Sequence, residues 1–194
     1  MLAFSAAVKS TSADWRAAVS RVATLLLAKY LGARVIGTSR SAAKLERLKA
    51  HGLDLGVVTG AEGFGEAVSR AVGGAGVDVV VDNIGADVLE PCLRALAVGG
   101  RFVTIGRMSG VTKAEFDVDL LAERRLHLYG VSNRLRTPAQ RAESAKRFVA
   151  DLLPAFGDGS IRPVIDRCFP LDEIAAAGAY LEADRHVGKV VLGI

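Results

Sequence analysis

The sequence predicts an α/β protein built on a doubly wound, mostly parallel sheet. Short β-branched runs alternate with amphipathic helical stretches, which is the sequence form of successive βαβ units. Three of the four clearest runs lack the polar alternation of a half-exposed strand, as expected where helices cover both faces of a sheet. The early helical stretches also end on glycine just before a strand, which is a common way for a helix to stop.

The predicted strands follow one another through the chain. Four apolar runs cover residues 34–37, 55–58, 77–81 and 101–105. A fifth run, residues 126–131, mixes polar and apolar side chains and is predicted to lie nearer an edge of the sheet. A later strand over residues 161–169 has an early proline, and a closing strand covers residues 188–192.

Cap and stop residues delimit the predicted helices, which cover residues 41–51, 63–72, 87–97, 138–153 and 171–183. Ser41 is placed to cap the first of them, and Gly52 ends it. Gly99 and Gly100 are expected to close the third helix, and Pro154 interrupts the fourth near its end. Each early helix is therefore followed directly by a strand.

Composition narrows the class of protein. The 194 residues are 51% hydrophobic, which is enough to bury a core. The formal net charge of +4 comes from Lys and Arg scattered along helical stretches, which argues against a nucleic-acid partner. Cys92 and Cys168 lie far apart without a neighbour at metal-ligand spacing, so neither a metal site nor a disulfide is predicted. The apolar run 22–27 is interrupted by Lys29, so we expect no membrane span and a cytoplasmic protein.

Residues 28–40, 76–85, 93–106 and 186–192 carry several motifs in a fixed order. Together they closely resemble the cofactor domain of medium-chain dehydrogenase/reductases, and residues 132–138 resemble the zinc-free quinone oxidoreductase branch. The resemblance covers about residues 26–194 and implies a six-stranded, Rossmann-like domain with its nucleotide across the carboxyl ends of the strands. It also implies a homodimer in full-length relatives. The chain is accordingly divided into an N-terminal segment 1–21, a dinucleotide-binding domain 22–160 and a C-terminal extension 161–194.

The start of the chain departs from this family. Relatives begin with a barrel-like catalytic domain, and almost nothing precedes the cofactor domain here, so we expect a truncated protein. By register, the glycine-rich turn of relatives falls at residues 15–21, which contain no glycine. Glycines there let backbone N–H groups approach the pyrophosphate, so a working phosphate loop is not expected. In a second interpretation, residues 2–8 form the central strand, residues 9–12 the turn, and a helix starts at Ala13 or Asp14. A defective or missing first strand stays open.

In the family that the chain resembles, the end of the second strand selects between the two nicotinamide cofactors. Here that strand is the one at residues 34–37. An acidic residue there would accept hydrogen bonds from the ribose hydroxyls, whereas a basic residue accommodates a 2′-phosphate. The strand ends in Thr38, Ser39 and Arg40, and Lys44 lies one turn into the next helix, without a carboxylate at the strand end. On spacing alone these residues could equally be a helix cap and a solvated helix face. With the family resemblance, they favour NADP(H) as the cofactor.

Further candidate residues follow the next two strands. Asn83 and Gly85 come after the strand at 77–81, and Gly106 and Arg107 come after the strand at 101–105. All four should therefore lie at the carboxyl edge, where a ligand of an open α/β sheet binds. Ordinary loop geometry would explain either glycine taken singly. The resemblance adds Asn133, which lies where relatives contact the nicotinamide end.

These observations predict an oxidoreductase domain that transfers hydride from NADPH to a small-molecule substrate, a quinone or another electron-poor carbonyl or alkene. His51, His127 and His186 have no carboxylate or thiol partner at useful spacing, so no catalytic acid–base pair is predicted. In zinc-free relatives the cofactor carries the hydride, so this absence does not argue against the chemistry. The alternatives are a truncated, non-catalytic scaffold or fragment, and a nucleotide-binding regulatory module.

Overall fold

A parallel sheet is the centre of the fold. The structure, a computed structural model, describes residues 16–19, 22–59 and 64–194. The strands are β1 (Arg16–Val19), β2 (Arg34–Ser39), β3 (Leu55–Val58), β4 (Val77–Asp82), β5 (Leu96–Thr104) and β6 (His127–Gly130). Their spatial order is β3-β2-β1-β4-β5-β6, and every neighbouring pair runs parallel. This arrangement confirms the doubly wound fold class, and β6 lies at an edge as predicted.

The helices around this sheet are α1 (Val22–Tyr30), α2 (Ala42–Lys49), α3 (Phe64–Ala71), α4 (Leu89–Ala95), α5 (Val118–Glu123), α6 (Pro138–Asp151) and α7 (Leu153–Gly157). The Ser41 hydroxyl accepts a hydrogen bond from the backbone N–H of Lys44 at 3.3 Å, so it caps α2 as predicted. Thr137 and Gln140 form a reciprocal capping box at the start of α6. Pro154 lies in the first turn of α7, just beyond the end of α6. Within the described part of the chain, no helix combines the length and apolarity needed to cross a bilayer.

Apolar side chains pack on both faces of the sheet. Val35 of β2 packs with Leu25 of α1 and Leu45 of α2. Its neighbour Ile36 belongs to a separate buried cluster that contains Leu93 of α4. Consecutive strand residues point to opposite faces, so α1 and α2 cover one face and α4 covers the other. Full burial of one such side chain contributes about 1.5–3 kcal/mol to the free energy of folding, so packing on both faces stabilises the sheet.

The central strand of the sheet is β1, which lies between β2 and β4. A first strand is therefore present. It occupies most of the span 15–21 that the sequence assigned to a turn, and only residues 20 and 21 separate it from α1. The alternative helix starting at Ala13 or Asp14 is wrong, because it would have to continue through this strand. The strand and turn suggested over residues 2–12 lie outside the described residues.

The strand β5 begins earlier than the sequence indicated. Gly99 and Gly100 lie inside it instead of closing the preceding helix, so that prediction is wrong. The pairing with β4 is irregular between Val77 and Val79, which accommodates additional residues in β5. Gly99 has a φ of 75°, and its N–H donates to the backbone carbonyl of Arg124 at 2.7 Å. This contact joins distant segments and is not visible in local sequence.

The last part of the chain forms a separate two-stranded sheet. It contains β7 (Ile165–Pro170), α8 (Ile174–Glu182) and β8 (Lys189–Gly193), and its two strands run parallel. Residues 165–193 are called the C-terminal unit below. Gly188, just before β8, lies against Val164, the residue just before β7. Its φ is 102°, and a Cβ there would lie 2.3 Å from the carbonyl oxygen of Val164. Only glycine fits this close approach.

The two cysteines lie in different parts of the fold. Cys92 is buried in α4, and Cys168 is exposed on β7. Burial raises the pKa of the Cys92 thiol, and the negative charge of Asp82 raises it further. The two thiols therefore have very different access to solvent.

Candidate functional site

The carboxyl ends of the central strands form one edge of the sheet. β1 and β4 are neighbours, and the chain moves away from them through β2 and β3 on one side and through β5 and β6 on the other. Such a switch point leaves a crevice outside the carboxyl ends, where ligands of open α/β sheets bind. The predicted residues that end or follow β2, β4 and β5 share this edge: Thr38, Ser39, Arg40, Asn83, Gly85, Gly106 and Arg107.

Serine hydroxyls organise the end of β2. The backbone N–H of Ser41 donates to Ser39 Oγ at 3.1 Å, and Ser41 Oγ in turn accepts the N–H of Lys44. Both hydroxyls therefore support the turn into α2, as the helix-cap interpretation of this segment predicted. Thr38 and Ser39 are partly exposed and Arg40 is exposed, so this end of the strand stays accessible.

Lys44 is paired with a carboxylate that comes from the C-terminal unit. Its Nζ lies 2.6 Å from Oδ1 of Asp184, a residue 140 positions further along the chain. The hydrogen bond from Lys44 is the largest cause that holds the pKa of Asp184 below its usual value, and the charges of Lys44, His186 and Arg40 lower it further. The local sequence has no carboxylate at this strand end, as expected. In the folded structure, however, Asp184 comes to it from the C-terminal unit, so the expectation is wrong for the three-dimensional site.

The loop after β4 is shaped by a buried carboxylate. Asp82 is 4% exposed and accepts hydrogen bonds from the backbone N–H groups of Ile84 at 2.8 Å and Gly85 at 3.2 Å. Desolvation raises the pKa of Asp82 despite these two hydrogen bonds, which act in the opposite direction. Sequence reasoning did not single out Asp82, which directly follows the strand predicted over residues 77–81. Its position directly before Asn83, at a strand end, is the signal that could have identified it.

Backbone hydrogen bonds join the loops after β4 and β5. The N–H of Met108 donates to the carbonyl of Asn83 at 3.1 Å, and the N–H of Ser109 donates to the carbonyl of Ile84 at 2.9 Å. The structure thus brings the two predicted pairs, Asn83 with Gly85 and Gly106 with Arg107, into one layer at the carboxyl edge.

Two glycines permit this close approach. Gly85 has a φ of 124°, and a Cβ there would lie 3.0 Å from the carbonyl oxygen of Val111. A Cβ on Gly106 would lie 2.9 Å from the carbonyl oxygen of Asn83. The glycines therefore have a specific geometric requirement, in addition to ordinary loop conformation.

Exposed apolar side chains line the same edge. Val58 is 51% exposed at the end of β3, and Ile84 is 37% exposed after β4. Ile105 and Met108 follow β5 with 45% and 73% exposure. Sequence reasoning missed these residues, although each ends or follows a strand. Apolar surface beside a few polar groups is typical of a small-molecule site.

The remaining candidates are more scattered. Asn133 is exposed in the loop after β6, and its carbonyl accepts the N–H of Arg136 at 3.3 Å. His127 is exposed on β6 and its ring stacks on Tyr129. In the part of the chain that the structure describes, no group of three or more His, Cys, Asp or Glu side chains could hold a metal ion.

A family model described as "Zinc-binding dehydrogenase" matches residues 55–192. The chain belongs to this family. The match runs from β3 into β8, so it includes the loops after β4 and β5 and all but the last residue of the C-terminal unit. The family resemblance inferred from sequence motifs is confirmed.

Curated relatives include a reductase, a quinone oxidoreductase-like protein and polyketide synthases. The chain is 32% identical to 2-haloacrylate reductase of Burkholderia sp over 85% of its own length. It is also 32% identical to quinone oxidoreductase-like protein 2 of Bos taurus over 84% of its length. The chain spans 49% and 46% of these two proteins. It spans 7% of a highly reducing polyketide synthase of Emericella nidulans, to which it is 30% identical over 89% of its length.

Solved structures of the family superpose on the chain. An NAD-dependent alcohol dehydrogenase is 31% identical with a TM-score of 0.75, covering 100% of this chain and 54% of that one. A mycobacterial protein solved in complex with NADPH is 27% identical with a TM-score of 0.74, covering 92% of this chain and 57% of that one. Nicotinamide dinucleotides of both kinds are thus named among these neighbours.

Proposed function

We propose that this chain is the dinucleotide-binding part of an NADPH-dependent reductase that transfers hydride to a quinone or another electron-poor carbonyl or alkene. The observation that carries the proposal is the carboxyl edge at the β1/β4 switch point, with basic residues at the end of β2 and two joined loops after β4 and β5. The name of the Burkholderia relative, 2-haloacrylate reductase, supports an activated alkene as one acceptor class.

The residues at this edge suit the different parts of a dinucleotide. Arg40 and Lys44 supply cationic donors for a 2′-phosphate at the end of β2, with Ser39 and Thr38 beside them. α1 begins at the carboxyl end of the central strand, and its first turn holds no acidic residue that would repel a pyrophosphate.

The other end of the cofactor is assigned to the two joined loops. Asn83, Gly85, Gly106 and Arg107 lie at this part of the edge, with the apolar side chains of Ile84, Ile105 and Met108 available to pack against a flat ring. Asn133 is assigned to the nicotinamide amide by family resemblance. The bound dinucleotide supplies the hydride, and these residues bind it, orient it and limit the access of water.

The proposal is tested by a fluorescence titration of the purified chain with NADPH and NADH. The variant Arg40→Ala should weaken NADPH binding about tenfold and NADH binding little, because a charge-assisted contact to the 2′-phosphate is lost. Lys49→Ala is the matched control, since Lys49 is an exposed cation at the far end of α2, the helix that follows Arg40, and is paired with Glu46. No binding of either cofactor at millimolar concentration would contradict the proposal.

A second candidate is a non-catalytic dinucleotide-domain protein. It is favoured by the connection between β1 and α1, where Ser20 and Arg21 stand in place of the glycines that let a backbone approach a pyrophosphate. Quinone-dependent or haloacrylate-dependent oxidation of NADPH separates the two. Cofactor binding without turnover of either acceptor supports the second candidate and contradicts the first.

A cytoplasmic location and a homodimer in full-length relatives rest on the sequence-based interpretation alone and stay predictions.

A further inference from the structure

A carboxylate stands at the place assigned to the 2′-phosphate. Asp184 Oδ1 accepts a hydrogen bond from Lys44 Nζ at 2.6 Å, while the Lys44 side chain is 20% exposed and that of Asp184 is 71% exposed. The charge of Arg40 also acts on Asp184. The ammonium group that the proposed function assigns to a phosphate is therefore already bound to an anion of the chain itself.

The segment that carries Asp184 is fixed against α2. Arg47 of α2 donates to the carbonyl of Arg185 at 3.2 Å and forms an ion pair with Asp166. Asp166 also accepts the backbone N–H of Val187 at 3.1 Å. Asp184 itself has a φ of 48°, a conformation that asparagine and aspartate adopt more readily than most residues. The carboxylate is thus held beside Lys44 by contacts on both sides of it in sequence.

A 2′-phosphate and a 2′-hydroxyl meet this carboxylate in opposite ways. A phosphate that binds Lys44 shares its ammonium group with Asp184 and is repelled by that carboxylate, whereas a ribose hydroxyl can donate a hydrogen bond to it. An acidic residue that accepts from the ribose hydroxyls is the usual means by which these domains select NADH. Here the carboxylate comes from the C-terminal unit instead of the end of β2.

We propose that Asp184 is a specificity-determining residue, which competes with the 2′-phosphate of NADPH for Lys44 and thereby narrows the preference for NADPH over NADH. This inference rests on the proposed function, because it concerns the same dinucleotide site.

The test compares dissociation constants for NADPH and NADH in the wild-type chain and in Asp184→Asn. Asparagine tolerates the positive φ and removes only the charge, so NADPH should bind about fivefold more tightly, while NADH binds equally well or more weakly. Glu182→Gln is the matched control, because it removes one exposed negative charge two residues away. Thermal melts verify folding, and Asp184→Gly, which also accepts a positive φ, replaces the asparagine variant if that one melts early.

The outcomes separate this inference from the function on which it rests. If both cofactors bind and Asp184→Asn changes them equally or not at all, Asp184 does not determine specificity, although the chain still binds dinucleotides. An equal gain in Glu182→Gln would reduce the effect to net charge and overturn the inference. If Asp184→Asn tightens NADPH binding to the same extent in a Lys44→Ala background, Asp184 does not act by competing with the phosphate for Lys44. If neither cofactor binds to any variant, the proposed function and this inference fail together.

Discussion

The six-stranded sheet and the C-terminal unit are stabilised in different ways. In β4 every residue except Asp78 is buried, whereas in β8 none is. The sheet has a cluster of buried residues on each face, and the buried apolar residues of the C-terminal unit are Phe169, Ala177 and Val187. The sheet therefore has its own hydrophobic core. The C-terminal unit buries few apolar residues, so its stability depends more on its contacts with the rest of the chain.

Polar contacts join the two regions. Arg47 and Lys44 of α2 pair with Asp166 and Asp184 of the unit, and the carbonyl of Arg185 accepts a further hydrogen bond from Arg47. Several large apolar side chains of the unit remain exposed, with Ile165 at 55% and Ile174 at 60%. Apolar burial thus fixes the sheet, and a few charged groups set the position of the unit that carries Asp184.

The largest effect is expected from Leu93→Ala in α4. Leu93 is fully buried between helix and sheet, so its truncation should lower the free energy of unfolding by about 3 kcal/mol. Leu171→Ala is the matched control in the C-terminal unit, where the side chain is 50% exposed, and it should cost less than about 1 kcal/mol. Urea unfolding measures both. Equal losses would contradict the comparison of the two regions.

A smaller effect is expected from Gly188→Ala. The added Cβ would meet the carbonyl oxygen of Val164 at a φ that disfavours alanine, so we expect a loss of about 2 kcal/mol confined to the C-terminal unit. Hydrogen exchange should therefore increase in β7 and β8 and not in β4. Gly178→Ala, a helix position with no atom within 4 Å of the added Cβ, should be neutral or stabilising. Uniformly faster exchange in Gly188→Ala would mean that the unit does not open separately.

The smallest of the three effects is expected from Asp166→Asn. A hydrogen bond from Tyr180, with contributions from Arg47 and the N–H of Val187, lowers the pKa of Asp166 from 3.8 to about 2. A carboxyl pKa that is lower in the folded state contributes stability above the unfolded value, and this stability is lost as the pH falls from about 4 to about 2. Near neutral pH the variant should lose about 1–2 kcal/mol.

Melting temperatures measured from pH 6 to pH 2 test this prediction as the difference between wild type and Asp166→Asn. That difference should shrink as the solution is acidified through the window. Asp172→Asn, which changes an exposed carboxylate in the same unit, is the control. A difference that is constant with pH would rule out Asp166 as the titrating group.

The sheet could be predicted because its signals are local. The valine-rich run of β4, the Ser41 cap and the strand ends just before Arg40 and Asn83 are each encoded within a few residues. Since parallel strands end at the same edge, their order also predicted which candidates share a site. The early start of β5 was missed, because Gly99 is held by a contact with a residue that follows α5.

The missing part of the site depended on distant residues. Asp184 reaches Lys44 across 140 positions, and no spacing rule connects the two. Asp82 directly follows the strand predicted over residues 77–81 and was not singled out, because its hydrogen bonds to the next loop are seen only in the folded structure. The site was thus predictable where one strand end supplies the residues, and unpredictable where a second part of the chain folds back.

The two thiols allow the two regions to be followed by one chemical labelling experiment. Cys168 should react with a thiol reagent in the native protein, because it is exposed on β7. Cys92 is buried in the larger hydrophobic cluster, so a thiol reagent can modify it only when α4 separates from the sheet. The natural chain therefore carries a fast and a slow reporter, and the slow rate measures how often the packing of α4 against the six-stranded sheet opens.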